Sequence, residues 1–407
     1  MPSLEHSRSG SRVPELDGIR GLAILLVVFF HFAWHSFQHA SGTLLHAIGY
    51  ASILSWSGVD LFFVLSGFLI GGILLDRRDC GNYFRIFYLR RACRILPAYC
   101  LWMAVFLSLS WLFLSPQSPQ WSLMLFQAGH PAFPKWGYLL FLQNIGIVAG
   151  LGVPLGLSPT WSLAVEEQFY LFLPLAMRYL IPRKPVPVLI FLIALAPAVR
   201  TFLFLYHPTV FVYVLLPCRA DALLLGVLCA HLVRDKGCRR WLENHRDWLY
   251  FIFTMLTLGI VYLTISANAK VEWQTVVTSF DVSTFGLSLI ALFYACLMLI
   301  VVTAPAAAIT RIMRTRFLRH FGLIAYGMFL IHLTINDLLH GLIRGEGSDI
   351  KDFASAGVTL LAFFVTWLLA YLSWNFFEKP IVAWGRSFEY APREQAARQI
   401  TPDAAVS

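Results

Sequence analysis

Long apolar segments occupy most of this 407-residue chain. An α-helix rises about 1.5 Å per residue, so roughly twenty apolar residues are needed to cross the hydrocarbon core of a bilayer. Ten segments meet that requirement: 21–38, 52–75, 98–114, 160–181, 186–206, 211–233, 247–266, 282–303, 319–341 and 355–377. Only 13% of the residues are charged, against about 25% in soluble chains. The sequence therefore predicts an all-α polytopic membrane protein with about ten transmembrane helices.

A shorter apolar run at 138–151 is too short to cross a bilayer without strong thinning. Lys and Arg concentrate in the cytoplasmic loops of membrane proteins, and this rule decides whether the run at 138–151 counts as a further span. With ten spans and a cytoplasmic N-terminus, 25 of the 31 Lys and Arg residues lie inside, five (including Arg200) lie outside and Arg219 lies within a span. An eleventh span would turn the later basic loops outward. We therefore expect both termini to be cytoplasmic and 138–151 to be a re-entrant or interfacial segment that lines a cavity.

No soluble domain is predicted beside the membrane domain, which we place at 1–385. Residues 386–407 are polar and Ala-rich without an apolar period, and we expect a disordered cytoplasmic tail. The seven cysteines show neither metal-ligand spacing nor a disulfide framework, and the first apolar run lacks a signal-peptide cleavage site. Because the net charge of +9 lies in membrane-flanking loops, no nucleic-acid partner is predicted.

The first predicted span contains Arg20 and His31, eleven residues apart. Eleven residues make almost three helical turns, so both side chains lie on one face, roughly 16 Å apart along the axis. His31 is then near mid-membrane, where an ionisable side chain is costly and indicates a functional site. The alternative is that His31 only hydrogen-bonds to a neighbouring helix.

Other polar and ionisable residues also fall inside predicted spans: Asp60, Glu166, Glu167, Arg219, Asp221, His332 and Asn336. Glu166 and Glu167 are adjacent and point about 100° apart, so at most one faces a given partner directly. Arg219 and Asp221 are candidate partners for a carboxylate at similar depth. Proton-relay transporters and intramembrane acyltransferases both have such an interior, so the composition leaves both classes open.

The loop after the second predicted span is rich in arginine and aromatic residues and reads DRRDCGNYFRIFYLRRACRILPAY. Arg90 and Arg94 are one helical turn apart, and Arg91 with Arg94 forms a second close pair. One interpretation is an interfacial helix anchored to anionic lipid. The other is a docking site for a phosphorylated cytosolic ligand, because arginine forks suit phosphate oxygens. The two are compatible.

Seven stretches resemble, in order and over nearly the whole chain, the acyltransferase-3 family of membrane enzymes that O-acylate surface glycans or antibiotics. They are PELDGIRGLAILLVVFFH, GVDLFFVLSGFL, YFRIFYLRRACRILPAY, PTWSLAVEEQFYLFLP, CRADALLLG, GLIAYGMFLIH and FFEKP. The Arg-x10-His pair of the family falls on Arg20 and His31. Ala325 and Phe329 stand where members more often have Ser and Tyr, and we expect this to be a difference in substrate or packing.

The resemblance implies an acyl-CoA donor, most commonly acetyl-CoA, on the cytoplasmic side. It also implies a hydroxylated carbohydrate or glycolipid acceptor, often extracytoplasmic, and a location in the plasma (inner) membrane. We expect no bound cofactor and no metal. Candidate partners besides the lipid bilayer are polysaccharide-assembly proteins or a second copy of the chain.

The resemblance also assigns roles. His31 would be the general base on the acceptor hydroxyl, or would carry the acyl group itself. One of Glu166, Glu167 or Asp60 would orient the imidazole or stabilise its cation. The donor would be held by Arg20, Arg90, Arg91 and Arg94. Supporting residues would be Asp17, Arg219, Asp221, Tyr326 and His332, with Arg219 either stabilising the oxyanion or pairing with Asp221.

Two other classes of function stay open. A proton-coupled transporter could use the same buried His and carboxylates, although the chain lacks the internal repeat typical of many transporters. A catalytically silent scaffold in a polysaccharide-assembly complex is the third alternative.

Overall fold

The computed structural model describes residues 13–34, 53–115, 117–206, 211–268 and 279–392. Within these ranges the chain is helical and contains no β-strand. Eight helices there are long and apolar enough to cross a membrane by length and composition: Leu54–Arg77, Tyr83–Phe113, Val186–Tyr206, Phe211–Leu232, Arg246–Ser266, Val282–Thr303, Arg316–Arg344 and Phe353–Ser387. The predicted class, an all-α polytopic membrane protein, is confirmed.

The other two predicted spans are also helical. Helix α1 (Pro14–Phe29) continues as a π-helix to Trp34, and Thr160–Leu175 continues as a π-helix to Leu180. The first contains Arg20 and the second contains Glu166 and Glu167, and these charged residues lower the mean hydropathy of both helices. Their crossing of the membrane, the count of ten and the side of the termini stay predictions.

The helices after α1 are numbered in chain order. They are α2 (Gly58–Arg77), α3 (Tyr83–Phe113), α4 (Gln120–Phe126), α5 (Lys135–Leu139), α6 (Gln143–Val148), α7 (Thr160–Leu175), α8 (Val186–Tyr206), α9 (Phe211–Val214), α10 (Leu216–Leu232), α11 (Lys236–Asn244), α12 (Arg246–Asn268), α13 (Leu287–Thr303), α14 (Ala308–Met313), α15 (Arg316–Arg344), α16 (Phe353–Ser373) and α17 (Lys379–Ser387). Short 3-10 or π turns extend α2, α7, α13 and α16 at one end.

Helices α1 and α15 cross where glycine allows their backbones to touch. A Cβ on Gly21 would lie 1.9 Å from the carbonyl oxygen of Leu318 and 3.1 Å from the amide nitrogen of Gly322, so a larger residue does not fit. Small residues at such crossings are a general device of membrane helix packing. His31 lies ten residues after Gly21 in the first helix and its π-helical extension, and His332 lies ten residues after Gly322 in α15. The crossing therefore brings both imidazoles to the same level, about 15 Å further along.

The loop between α3 and α7 contains three short helices, α4 to α6. None is long enough to span a membrane, in agreement with the prediction for 138–151; its depth in the bilayer stays a prediction. The segment packs on its neighbours: Tyr99 donates to the Tyr138 carbonyl at 2.9 Å, and Gln168 donates to the Phe141 carbonyl at 2.9 Å. Side chains of α3 and α7 thus satisfy two of its carbonyl groups. No residue of this loop lines the polar cavity described below, and its expected place beside a cavity stays a prediction.

The C-terminal part of the described chain packs against α3. Helix α17 ends at Ser387. Beyond it, the carbonyl oxygen of Ala391 accepts a hydrogen bond from the Gly81 amide at 3.1 Å, and the Ala391 amide donates to Asn82 Oδ1 at 2.9 Å. Packed structure therefore extends past the predicted boundary at 385. Residues 393–407 of the predicted tail lie outside the described residues.

Candidate active site

A cavity of about 120 Å³ lies between α1, α2, α3, α7 and α15. Its polar lining consists of Arg20, Ser66, Arg91, Arg94, Ser162, Glu166, Tyr170 and Tyr326. The rest of the wall is apolar and includes Phe62, Phe63, Ala325 and Phe329. Several predicted site residues therefore meet in one place although they are far apart in sequence, from Arg20 to Tyr326.

Three guanidinium groups face this cavity. Arg20 pairs with Asp17, one turn earlier in α1, at 3.2 Å. Arg94 lies 3.6 Å from the buried carboxylate of Glu378, and its Cζ lies 5.0 Å from the ring centroid of Trp374 and 5.8 Å from that of Tyr326. Such contacts hold a guanidinium in one orientation. The arrangement suits an anionic ligand, because arginine forks match phosphate or carboxylate oxygens.

Arg90, predicted with Arg91 and Arg94 to bind the donor, does not line the cavity. Its Nε donates to the carbonyl oxygen of Phe388 at 3.0 Å, and its Cζ lies 5.2 Å from the ring centroid of Tyr390. Successive helical residues point about 100° apart, so Arg90 leaves the helix on another side than Arg91. Burial raises the pKa of the Tyr390 phenol, although the nearby guanidinium of Arg90 opposes the shift. Arg90 holds the C-terminal segment in place.

Glu166 is the member of the glutamate pair that reaches the cavity. Its Oε1 accepts a hydrogen bond from Ser66 Oγ at 2.9 Å, and its Oε2 accepts one from the Tyr170 hydroxyl at 3.0 Å. The Tyr170 hydroxyl also lies 2.9 Å from Ser66 Oγ. Glu167 does not line the cavity, and its buried Oε1 has no hydrogen-bond partner among the described residues. The 100° offset between neighbours accounts for the difference.

His31 and His332 form a second polar group. His332 Nδ1 lies 2.7 Å from the carbonyl oxygen of Phe329, which can only accept, so Nδ1 carries the proton and Nε2 is a lone-pair acceptor. His31 Nδ1 likewise donates to the carbonyl oxygen of Val27 at 2.9 Å and lies 3.3 Å from His332 Nε2. The lone pair of His31 is therefore on Nε2. Neither ring is needed as a cation to satisfy these contacts.

None of the three predicted carboxylates orients His31. Among the described residues no Asp or Glu oxygen lies within 4.0 Å of its nitrogens. The expectation that Glu166, Glu167 or Asp60 holds the imidazole is therefore not met in this structure, where Val27 and His332 hold it. Neither of these two contacts comes from a charged group.

Asp60 and Asp221 belong to buried ion pairs behind the cavity wall. Arg219 donates to Asp60 at 2.5 Å, and Arg200 donates to Asp221 at 2.9 Å. The expected Arg219–Asp221 pair is wrong, because residues two apart in a helix point about 200° apart. Arg200 was placed outside the membrane by the charge count, but its side chain is fully buried. Arg219 does not line the cavity, and its Cζ lies 5.4 Å from the ring centroid of Phe63, which does.

The two departures from the family pattern both lie on the cavity wall. Ala325 and Phe329 line the cavity, and the ring centroid of Phe329 also lies 5.9 Å from that of His332 and 6.4 Å from that of Phe62. Phe329 thus borders both the cavity and the imidazole pair. This position favours an effect on substrate over an effect on packing alone.

Sequence reasoning missed Ser66 and Tyr170 as site residues. Ser66 lies in a stretch of small residues, and such stretches are typical of ordinary helix packing in membranes. Tyr170 follows Glu166 by four residues in α7, and residues at that spacing are neighbours on a helix surface. The i, i+4 spacing from Glu166 is the sequence feature that could have identified Tyr170. The feature that could have identified Ser66 is its place in GVDLFFVLSGFL, one of the stretches that resemble the family.

Comparisons with known proteins agree with this picture. The family described as "acyltransferase domain" (acyltransferase 3) matches residues 13–375. The peptidoglycan O-acetyltransferase OatA of Listeria monocytogenes is 27% identical over 383 residues, covering 91% of this chain and 56% of that protein. The O-acetyltransferase OatA of Staphylococcus aureus is 24% identical over 420 residues, covering 98% of this chain and 62% of that protein. The chain thus spans about three fifths of the length of these relatives. No solved structure matches it.

Proposed function

Because the chain belongs to the acyltransferase 3 family, we propose that this multi-pass protein is an O-acyltransferase of the plasma (inner) membrane. It would move an acyl group, acetyl in the first instance, from acyl-CoA on the cytoplasmic side to a hydroxyl of a carbohydrate or glycolipid acceptor. The names of the relatives make a peptidoglycan sugar the first acceptor to test. The observation that carries the proposal is the juxtaposition of an arginine-lined cavity with a neutral imidazole pair across the ring of Phe329.

The cavity supports a role in binding the acyl end of the donor. Its volume of about 120 Å³ is below the roughly 300–1,000 Å³ of pockets that enclose whole drug-sized ligands. An acyl thioester and part of its arm fit such a space, so the nucleotide of CoA would lie outside it. Arg91 and Arg94 would stabilise negative charge that develops on the thioester oxygen and the leaving sulfur.

His31 is suited to act as a general base. The lone pair on Nε2 can take the proton of an acceptor hydroxyl while Nδ1 keeps its bond to Val27, and His332 holds the ring. The alternative, in which His31 carries the acyl group, would use the same nitrogen as the nucleophile.

The test is an acetyl-transfer assay on the full chain reconstituted in liposomes, with radiolabelled acetyl-CoA and a peptidoglycan fragment as acceptor. We expect transfer by the wild type and at least a hundredfold loss in His31→Gln and His31→Ala, as for removal of a general base. His340→Gln is the matched control, because His340 lies in the same helix as His332 and bonds Thr359 instead of the site.

Two outcomes would overturn the proposal. One is wild-type rates in both His31 variants. The other is absence of acyl transfer by the wild type together with solute uptake driven by a proton gradient, which would identify a transporter.

A further inference from the structure

The polar atoms of Ser66, Tyr170 and Glu166 lie within hydrogen-bond distance of one another in the cavity wall. The three distances are 2.9, 2.9 and 3.0 Å, and all three side chains line the cavity. Ser66 belongs to α2, whereas Glu166 and Tyr170 belong to α7. A role as a clamp between the two helices would explain the contacts but would not require a place on the cavity surface.

The direction of the bonds makes Ser66 a candidate nucleophile. A carboxylate only accepts, so Ser66 Oγ donates its proton to Glu166 Oε1. A serine hydroxyl is a weak nucleophile until an adjacent base takes that proton. Tyr170 donates to the other carboxylate oxygen and keeps Glu166 in place beside Ser66. The group contains the two parts that covalent catalysis needs, a hydroxyl and a positioned base.

His31 lies on the other side of an aromatic wall. It does not line the cavity, whereas Phe329 borders both the cavity and the ring of His332. A thioester bound in the cavity therefore meets Ser66 and Glu166 before it can meet His31. Transfer to an acceptor activated by His31 requires a carrier for the acyl group or a direct path past Phe329.

We propose that Ser66 is this carrier, and that Glu166 is its general base; the inference rests on the proposed acyltransferase function. In the first step Ser66 Oγ bonds to the carbonyl carbon of the thioester and its proton passes to Glu166. The C–S bond breaks, and CoA leaves as a thiolate beside Arg91 and Arg94, which stabilise its charge. Acyl-Ser66 and protonated Glu166 remain.

In the second step the acceptor oxygen bonds to the same carbonyl carbon and gives its proton to His31 Nε2. The C–Oγ bond breaks, and Ser66 recovers the proton that Glu166 holds. The proton on His31 then passes to water, and the thiolate takes one from water. One thioester and one alcohol thus become one ester and one thiol. Phe329 must turn aside for this step, because its ring lines the cavity and lies against His332, the neighbour of His31.

The experiment looks for the ester directly. The full chain in liposomes is mixed with radiolabelled acetyl-CoA without acceptor, quenched, digested and mapped by mass spectrometry. We expect about one acetyl group per chain on the peptide that contains Ser66, and loss of this label when a peptidoglycan fragment is added. Ser66→Ala should carry no label there and should lose at least about a hundredfold in transfer.

Two further variants separate chemistry from folding. Ser66→Cys should be labelled as a thioester, which neutral hydroxylamine cleaves, whereas the wild-type ester requires alkaline hydroxylamine. Ser57→Ala is the matched control, because Ser57 lies directly before α2, its Oγ lies 2.7 Å from the Tyr294 hydroxyl, and it does not line this cavity. It should be labelled like the wild type.

Transfer to acceptor at wild-type rates by Ser66→Ala, or label on His31 in place of Ser66, would overturn the inference and leave the proposed function standing. Absence of transfer to any acceptor by the wild type would overturn the proposed function and, with it, this inference.

Discussion

The buried pair of Asp60 and Arg219 offers a test that separates a structural from a catalytic carboxylate. Both side chains are 1% exposed, and their charged atoms are 2.5 Å apart. Nε and Nη1 of Arg219 have no hydrogen-bond partner among the described residues. The substitution Asp60→Asn keeps the size of the side chain but leaves the guanidinium charge buried without a counter-charge.

The expected cost follows from the charges. At an effective dielectric constant of about 20, unit charges about 4 Å apart attract each other by about 4 kcal/mol. Measured costs of removing one partner of a buried pair are about 3–5 kcal/mol. We therefore expect Asp60→Asn to lower the free energy of unfolding by about 3–5 kcal/mol. The double variant Asp60→Leu with Arg219→Met removes both charges, so it should be about as stable as the wild type or more so.

The assay combines denaturant unfolding in detergent with acetyl transfer per folded molecule. Because neither side chain faces the cavity, the double variant should retain transfer activity close to that of the wild type. A double variant that is stable but inactive would show that Asp60 or Arg219 takes part in the chemistry, as the sequence suggested. An Asp60→Asn variant as stable as the wild type would refute the stated cost of the buried charge.

Three further predictions concern the cavity and the imidazole pair. His332→Ala should lower kcat about 10–100-fold with little change in the KM for the donor, because His31 keeps its bond to Val27 but loses its contact with His332. Steady-state kinetics at saturating donor test this prediction, and an unchanged kcat would contradict it. Arg91→Ala should lower kcat and kcat/KM for acetyl-CoA about tenfold or more, because it removes a cation that stabilises charge in the transition state, whereas Arg90→Ala should not, since Arg90 lies outside the cavity; equal effects of the two would refute this assignment. Ala325→Val narrows the cavity and should reduce kcat/KM for butyryl-CoA at least about tenfold more than kcat/KM for acetyl-CoA. A competition assay with both donors measures this ratio, and equal losses of kcat/KM for the two donors would place the acyl chain outside the cavity.

Much of this protein follows from its sequence. A bilayer requires about twenty apolar residues per crossing, so hydropathy alone located all ten predicted segments, and each is mostly helical within the described residues. Helical periodicity placed Arg20 and His31 on one face and separated Glu166 from Glu167. These properties are local, because each depends only on the spacing of residues within one helix.

The tertiary structure decided the partners. Ionisable residues inside a membrane must be paired, but hydropathy and periodicity do not say which helices are neighbours. The crossing of α1 and α15 at Gly21 and Gly322 aligned His31 with His332. The packing of the remaining helices paired Asp60 with Arg219, and it joined Ser66 to Glu166 across α2 and α7. A contact between residues that are distant in sequence depends on how whole helices pack. That packing is determined by many residues together, so no local pattern in the sequence predicts it.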